Sequence, residues 1–231
     1  MRKLFYGFLL VALTNNVFSQ VKFYKHSGMD FIYSFIDYTS NPMSVNNKPR
    51  FSFFLHFGEY WNLDLNDNIG FFSGVSLNNI GFIAVNEAID MQKRFRSYGL
   101  GVPLAMKIGS FKNKFYMYGG GEYQCLFHYK EKTYYQGDKI KSTDWFSSKT
   151  PLFLPSIFVG IQFPQKVNLK FQYTLSNFLN TDEFIPEMNR NASFGIPSGH
   201  LFWISLAFTD FERILKKDKD KEERYVLNTK Y

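Results

Sequence analysis

Residues 96–130 constrain the fold more than any other stretch, because side-chain size alternates with period two on both sides of a short turn. In the first half Tyr98, Leu100, Val102, Leu104, Met106 and Ile108 are large and mostly apolar. Between them Ser97, Gly99, Gly101, Pro103, Ala105, Lys107 and Gly109 are small, polar or charged. Successive side chains of a strand point to opposite faces, so one face is bulky and apolar and the other narrow and polar. After a tight turn at 110–113 the pattern returns with opposite parity. Phe115, Met117, Tyr123, Cys125, Phe127 and Tyr129 share one face with Gly119 and Gly121. Tyr116, Tyr118, Gly120, Glu122, Gln124, His128 and Lys130 share the other, interrupted by Leu126. A membrane β-barrel wall asks for this pairing of faces, with about ten residues per crossing.

The alternation recurs along the chain. Met29, Phe31, Tyr33 and Phe35 mark a first strand, after a lead-in over 20–28. Phe51, Phe53, Leu55 and Phe57 mark a second, ending in Tyr60 and Trp61 at the place of an interfacial aromatic girdle. Ile69, Phe71, Val75 and Leu77 mark a third, and the opening hairpin supplies the fourth and fifth. Ile157, Val159, Ile161 and Phe163 mark a sixth, Val167, Leu169, Phe171, Tyr173 and Leu175 a seventh, and Phe202, Ile204, Leu206 and Phe208 an eighth. Connections after strands two, four and six are short, whereas 38–48, 84–92, 131–150 and 180–199 read as long loops. The pattern predicts an all-β fold over 20–211: an eight-stranded antiparallel up-and-down transmembrane β-barrel with short periplasmic turns and long extracellular loops. The competing fold is a soluble, lipocalin-like ligand-binding barrel, whose large residues would line the inside.

The N-terminus agrees with export. Arg2 and Lys3 precede an apolar run over 4–13 and then a polar, small-residue segment, the order of a secretory (Sec) signal peptide spanning 1–19. No cysteine stands near the expected cleavage point, which excludes a lipoprotein anchor. The only cysteine, Cys125, lies on the large-residue face. Residues 212–231 are dense in Lys, Asp, Glu and Arg and read as a charged periplasmic tail. The net charge of +7 is scattered over turns, tail and signal, with no single basic stripe, so nucleic acid is not an expected partner.

An eight-stranded barrel has an interior just wide enough for side chains to fill, so a solute channel is not expected. The inward positions name a lumenal polar network of His56, Lys107, Glu122, Gln124, Lys170 and Gln172, with Ser52, Ser76, Asn78, Thr174 and Ser176 around it. Buried charges need partners, which gives the network a structural role. The catalytic alternative takes Ser52, His56 and Glu122 as a set for lipid or lipopolysaccharide chemistry, but no nucleophile-base spacing in the sequence supports it. His26, His128 and His200 lack metal-ligand spacing, and Gly119, Gly120 and Gly121 lie within a strand, so no metal, cofactor or nucleotide is expected.

The segment Leu100-Gly101-Val102-Pro103-Leu104-Ala105-Met106-Lys107, with its short turn and Tyr/Gly-rich following strand, resembles the PorT-like outer-membrane barrels of Bacteroidota. The resemblance spans roughly 20–211 and implies an OmpA-like small barrel in the bacterial outer membrane. One member belongs to a protein secretion system, a role not carried over to this chain. The expected function is a non-enzymatic anchor or interaction scaffold linked to secretion or envelope integrity, contacting outer-membrane lipid and envelope or secretion proteins through its loops or tail.

Overall fold

The computed structural model describes residues 21–41, 45–53, 55–184 and 195–212, so the expected signal peptide and charged tail lie outside the described residues. Strands β1 (Lys22–Ser40), β2 (Asn46–Lys48), β3 (Arg50–Ser52), β4 (Phe57–Asp64), β5 (Ile69–Asn86), β6 (Met91–Ser110), β7 (Phe115–Tyr135), β8 (Asp138–Trp145), β9 (Phe153–Gln162), β10 (Val167–Thr174) and β11 (Ser198–Glu212) follow in order. They form eight antiparallel walls. The second wall is assembled from β2, β3 and β4, and the sixth from β8 and β9, both of which pair with β7. The ring closes where β1 pairs β11 from Lys25↔Glu212 to Ser40↔Ser198. Closure removes the sheet edges, as a wall facing lipid requires.

The faces follow the alternation. Leu100, Val102, Leu104, Met106 and Ile108 of β6, and Phe115, Met117 and Tyr123 of β7, lie on the outside and are exposed, while Gly101, Ala105, Lys107, Tyr118 and Glu122 lie inside and are buried. The large residues therefore face outward, opposite to a lipocalin-like barrel, and the exterior belt suits a hydrocarbon environment.

The turns at 65–68, 111–114 and 163–166 sit at one end, here the turn end. Asn66 Oδ1 accepts from the N–H groups of Asn68 (2.8 Å) and Ile69 (2.7 Å), which fixes the first. Lys114 (φ 54°) and Lys166 (φ 65°) take left-handed conformations in the other two. In the first turn the Lys22 ammonium, 2.7 Å from Asp67, holds that carboxyl below its usual pKa. This small surface contribution is present at neutral pH and fades as pH falls through the depressed value.

Four boundaries differ from expectation. The lead-in over 20–28 is strand, because β1 starts at Lys22 and pairs β4 from Lys22↔Asp64 to Met29↔Phe57. The second wall does not run unbroken to Tyr60: it is interrupted between Ser52 and Phe57, where Leu55 has φ 62°, and resumes as β4. The expected loops over 84–92 and 131–150 are largely strand. β5 and β6 meet across 87–90, with a 3-10 turn at Glu87–Ile89, and β7 continues to Tyr135 before returning as β8. At 20 and 21 residues, β6 and β7 are about twice a membrane crossing, so their far halves project beyond it at the other, loop end.

Parity also slips once. Tyr98 pairs His128 but Gly99 pairs Leu126, leaving Phe127 as an extra residue in β7. Beyond this bulge Tyr129, Glu131 and Thr133 face inward, while His128 and Lys130 face outward, the reverse of the uninterrupted alternation.

Candidate functional site

The lumen holds the polar residues that could carry chemistry, in layers from the turn end upward. Nearest the turns, Lys107 of β6 is fully buried. Its ammonium forms an ion pair with Asp64 of β4 at 2.7 Å and donates to Asn62 Oδ1 at 2.8 Å and Tyr24 Oη at 2.6 Å. The ammonium is thus held by one ion pair and two hydrogen bonds. The rings of Tyr24, Phe111 and Tyr116 surround it at 4.6–5.4 Å. Because Asn62 Oδ1 accepts from Lys107, its Nδ2 is left to donate to His26 Nδ1 at 2.7 Å.

Above this, Tyr60, Phe72, Tyr118 and Phe158 form an aromatic layer. Tyr60, expected in an interfacial girdle, instead points inward and stacks on His26, with ring centroids 4.8 Å apart. It is even-numbered like Gly58, Asn62 and Asp64, the lumenal set of β4, and its ring covers Gly58 and Gly74, where a Cβ would collide with it. Trp61 is the partner that faces out.

The next layer centres on Glu122 of β7. Its Oε1 accepts from Ser76 Oγ and from Asn78 Nδ2 (3.4 Å); its Oε2 accepts from Gln124 Nε2 (3.2 Å) and Gln172 Nε2. Four donors occupy the acceptor sites of one carboxylate. Lys170 of β10 lies beside it and pairs with Asp30 at 3.5 Å. Gly101 makes this layer possible, since a side chain there would strike the Glu122 carboxylate. The small residues of the hairpin's inner face thus leave the volume that the polar residues fill.

Ser52 and His56 do meet: Ser52 Oγ lies 2.7 Å from His56 Nε2, and both are buried. The third expected member does not join them, because Glu122 spends its oxygens on Ser76, Asn78, Gln124 and Gln172. His56 Nδ1 accepts the backbone N–H of Asn79 at 3.2 Å. A neutral imidazole with Nδ1 accepting carries its proton on Nε2. His56 therefore donates to Ser52, and its lone pair is turned away from the hydroxyl it would have to deprotonate.

The half of the lumen toward the loop end is apolar, which the sequence reading missed. Ile80, Phe82, Phe95, Leu126, Tyr129, Leu154, Leu201 and Trp203 pack inside the walls, and Phe178, Leu179 and Phe184 enter from the segment between β10 and β11. The signal lay in β5, where Ile80, Phe82, Ile83, Ala84 and Val85 give apolar residues on both faces. One buried ion pair, Lys93–Glu131 at 3.1 Å, sits among them. Among the described residues the lumen's cavity, lined by Asp30, Tyr60, Tyr118, Glu122 and Lys170, measures about 40 Å³, room for a few water molecules. No cluster of three or more His, Cys, Asp or Glu suited to a metal occurs among the described residues.

No protein-family model matches the chain, and no curated protein matches it. Solved structures do. The chain is similar to Ail, the attachment invasion locus protein of Yersinia pestis, at 12% identity over 82% of this chain and 99% of that one, with a TM-score of 0.39. It is likewise similar to Neisserial surface protein A (NspA), at 10% identity over 83% and 98%, with a TM-score of 0.39.

Proposed function

We propose that this chain is a bacterial outer-membrane β-barrel protein, exported by a Sec signal peptide, that serves as a non-enzymatic anchor and interaction scaffold. The observation that carries this reading is a belt of exposed apolar side chains around a lumen that described side chains fill except for the cavity of about 40 Å³. A filled barrel neither conducts solutes nor offers a substrate pocket, so its useful surface is outside. The short turns then face the periplasm and the loop end faces outward. The β7–β8 hairpin supports a role in contacts, because β8 is exposed along nearly its whole length. Its partners are outer-membrane lipid and envelope or secretion proteins. The PorT-like resemblance supports a link to secretion or envelope integrity, with Leu100, Val102, Leu104 and Met106 on the lipid face and Lys107 inside.

The 2.7 Å Ser52–His56 contact favours a second reading, a small barrel enzyme acting on lipid or lipopolysaccharide. The protonation pattern set by Asn79 weighs against it. Both readings are tested with the barrel reconstituted in vesicles of outer-membrane lipid. The scaffold reading expects heat-modifiable migration, outer-membrane fractionation, no single-channel conductance and unchanged lipids by mass spectrometry. A lipid product that disappears in a folded Ser52→Ala variant would replace it with the enzyme; a protein found wholly in the soluble periplasm would remove both.

A further inference from the structure

Where β6, β7 and β8 rise above the apolar belt, their outward face turns basic. Along β6 the outward residues run Ile108, Met106, Leu104, Val102, Leu100, Tyr98 and then Arg96 and Arg94. Register places these cations beside others. Arg94 is directly opposite Lys132, which is directly opposite Lys141, and one rung lower Arg96 faces Lys130. Lys139 lies opposite Tyr134, whose ring also receives the Arg94 guanidinium at 4.9 Å.

Like charges directly opposite each other on a sheet are destabilising. Beyond the Tyr134 ring, nothing described offsets them: among the described residues none of Arg94, Arg96, Lys130, Lys132, Lys139 and Lys141 has a carboxylate partner. Glu131, which follows Lys130, turns inward to Lys93. Asp144 of β8 accepts from Ser142 and acts electrostatically on His128, at the lower edge of the field. Burial and then the charges of Arg96, Lys139, Lys130 and Lys141 hold Lys132 below the ordinary lysine pKa.

The field also has a recess. The second wall leaves β5 between the β4–β5 and β2–β5 pairings. There Arg50, Arg94, Arg96 and Lys132 line a cleft of about 300 Å³ together with Phe51, Phe53 and Ile83. Cations at its upper side and exposed phenylalanines continuous with the lipid belt match a molecule that is anionic at one end and apolar at the other.

We propose that this basic field binds the phosphorylated headgroup of an anionic lipid in the outer leaflet, with acyl chains resting on the belt around Phe51, Phe53 and Leu100. The inference rests on the membrane reading above. Phosphate oxygens satisfy several guanidinium and ammonium groups at once and remove the repulsion along the rungs. Position favours lipid over a soluble polyanion, because the cations lie on the outer wall at the edge of the apolar belt.

The test is native mass spectrometry of the detergent-folded full chain, titrated with diphosphoryl lipid A, its dephosphorylated form, inorganic phosphate and a soluble sulfated polysaccharide. The native barrel should retain diphosphoryl lipid A at least about tenfold more tightly than the dephosphorylated lipid, about 1.4 kcal/mol. Arg94→Gln/Lys132→Gln/Lys141→Gln should abolish that preference, while a charge-matched control, Lys112→Gln/Lys114→Gln/Lys166→Gln at the turn end, should keep it. Neutralising the rungs removes repulsion, so the first variant should fold at least as well without lipid. Equal retention of the two lipids, a preference that survives in the first variant, or tighter binding of the polysaccharide would each overturn the proposal while leaving the barrel reading intact. A chain with no heat-modifiable form would remove both.

Discussion

Lys107→Met is expected to lower barrel stability by about 3–5 kcal/mol, because it leaves the Asp64 carboxylate buried without its cation. The substitution fits sterically, since methionine follows nearly the same path through the ring of Tyr24, Phe111 and Tyr116. What it removes is the ammonium that satisfies Asp64, Asn62 and Tyr24 together. Adding Asp64→Asn removes the stranded charge, so the double variant should recover to within about 1–2 kcal/mol of the native barrel. Lys22→Met, which breaks the neighbouring Lys22–Asp67 pair, should cost far less than Lys107→Met, because both side chains are exposed and solvent screens them. Urea titrations in detergent micelles, read by fluorescence and by the loss of heat-modifiable migration, measure all three; Trp203, buried in the lumen, is a suitable reporter. If Lys107→Met and Lys22→Met cost the same, the lumenal pair does not hold the turn end together.

The same contrast between lipid face and lumen explains what the sequence could reveal. Where the outside is lipid, its face must be apolar, and the alternation from Leu100 to Ile108 or from Phe202 to Phe208 can be read directly. The signal fades where a wall leaves that environment or compensates a polar residue locally. In sequence, strand β1 reads only from Met29 because Lys25 and Ser27 interrupt its outward row, yet Lys25 pairs with Glu59 across the wall at 2.7 Å. The far ends of β6 and β7, residues 91–92 and 131–135, read as loop because polar and charged residues dominate beside them, although beyond the bulge the pairing runs without a break from Tyr98↔His128 to Met91↔Tyr135. Tyr60 was assigned by its neighbour Trp61 rather than by parity, which places it inside.

The candidate site was legible in membership but not in connectivity. Lys107, Glu122, Gln124, Lys170 and Gln172 follow from parity alone, whereas their partners depend on register between walls far apart in sequence. Ser52 and His56 could be placed on one face, but the direction of the proton between them depends on the Asn79 N–H from β5. Leu126, the apolar interruption of a polar face, joins the two-faced apolar run of β5 as a local sign that the lumen changes character above Glu122.

Glu122 gives the second large effect, and its direction depends on the amides around it. Glu122→Leu should destabilise the barrel by about 3–5 kcal/mol, since it leaves the donors of Ser76, Asn78, Gln124 and Gln172 facing hydrocarbon and leaves Lys170 with Asp30 as its one carboxylate partner among the described residues. Glu122→Gln should be far milder, about 1 kcal/mol. Its new NH₂ group would at first meet the amide NH₂ groups of Gln124 and Gln172. The amide oxygens of both those residues, however, are buried without a hydrogen-bond partner. Turning each amide over presents its oxygen to the new donor, and the Ser156 hydroxyl, which now receives Gln172 Nε2 at 2.8 Å and donates to the backbone oxygen of residue 122 at 3.2 Å, can turn that proton to Gln172 instead, one hydrogen bond exchanged for another. Unfolding free energies of the two variants from denaturant titration should therefore differ by at least about 2 kcal/mol. Gln124→Leu, which removes one of the two amides that turn over, should make Glu122→Gln more costly than it is alone. Equal losses for Glu122→Gln and Glu122→Leu would mean that the negative charge itself, paired with Lys170, outweighs the hydrogen-bond pattern in holding the middle of the lumen.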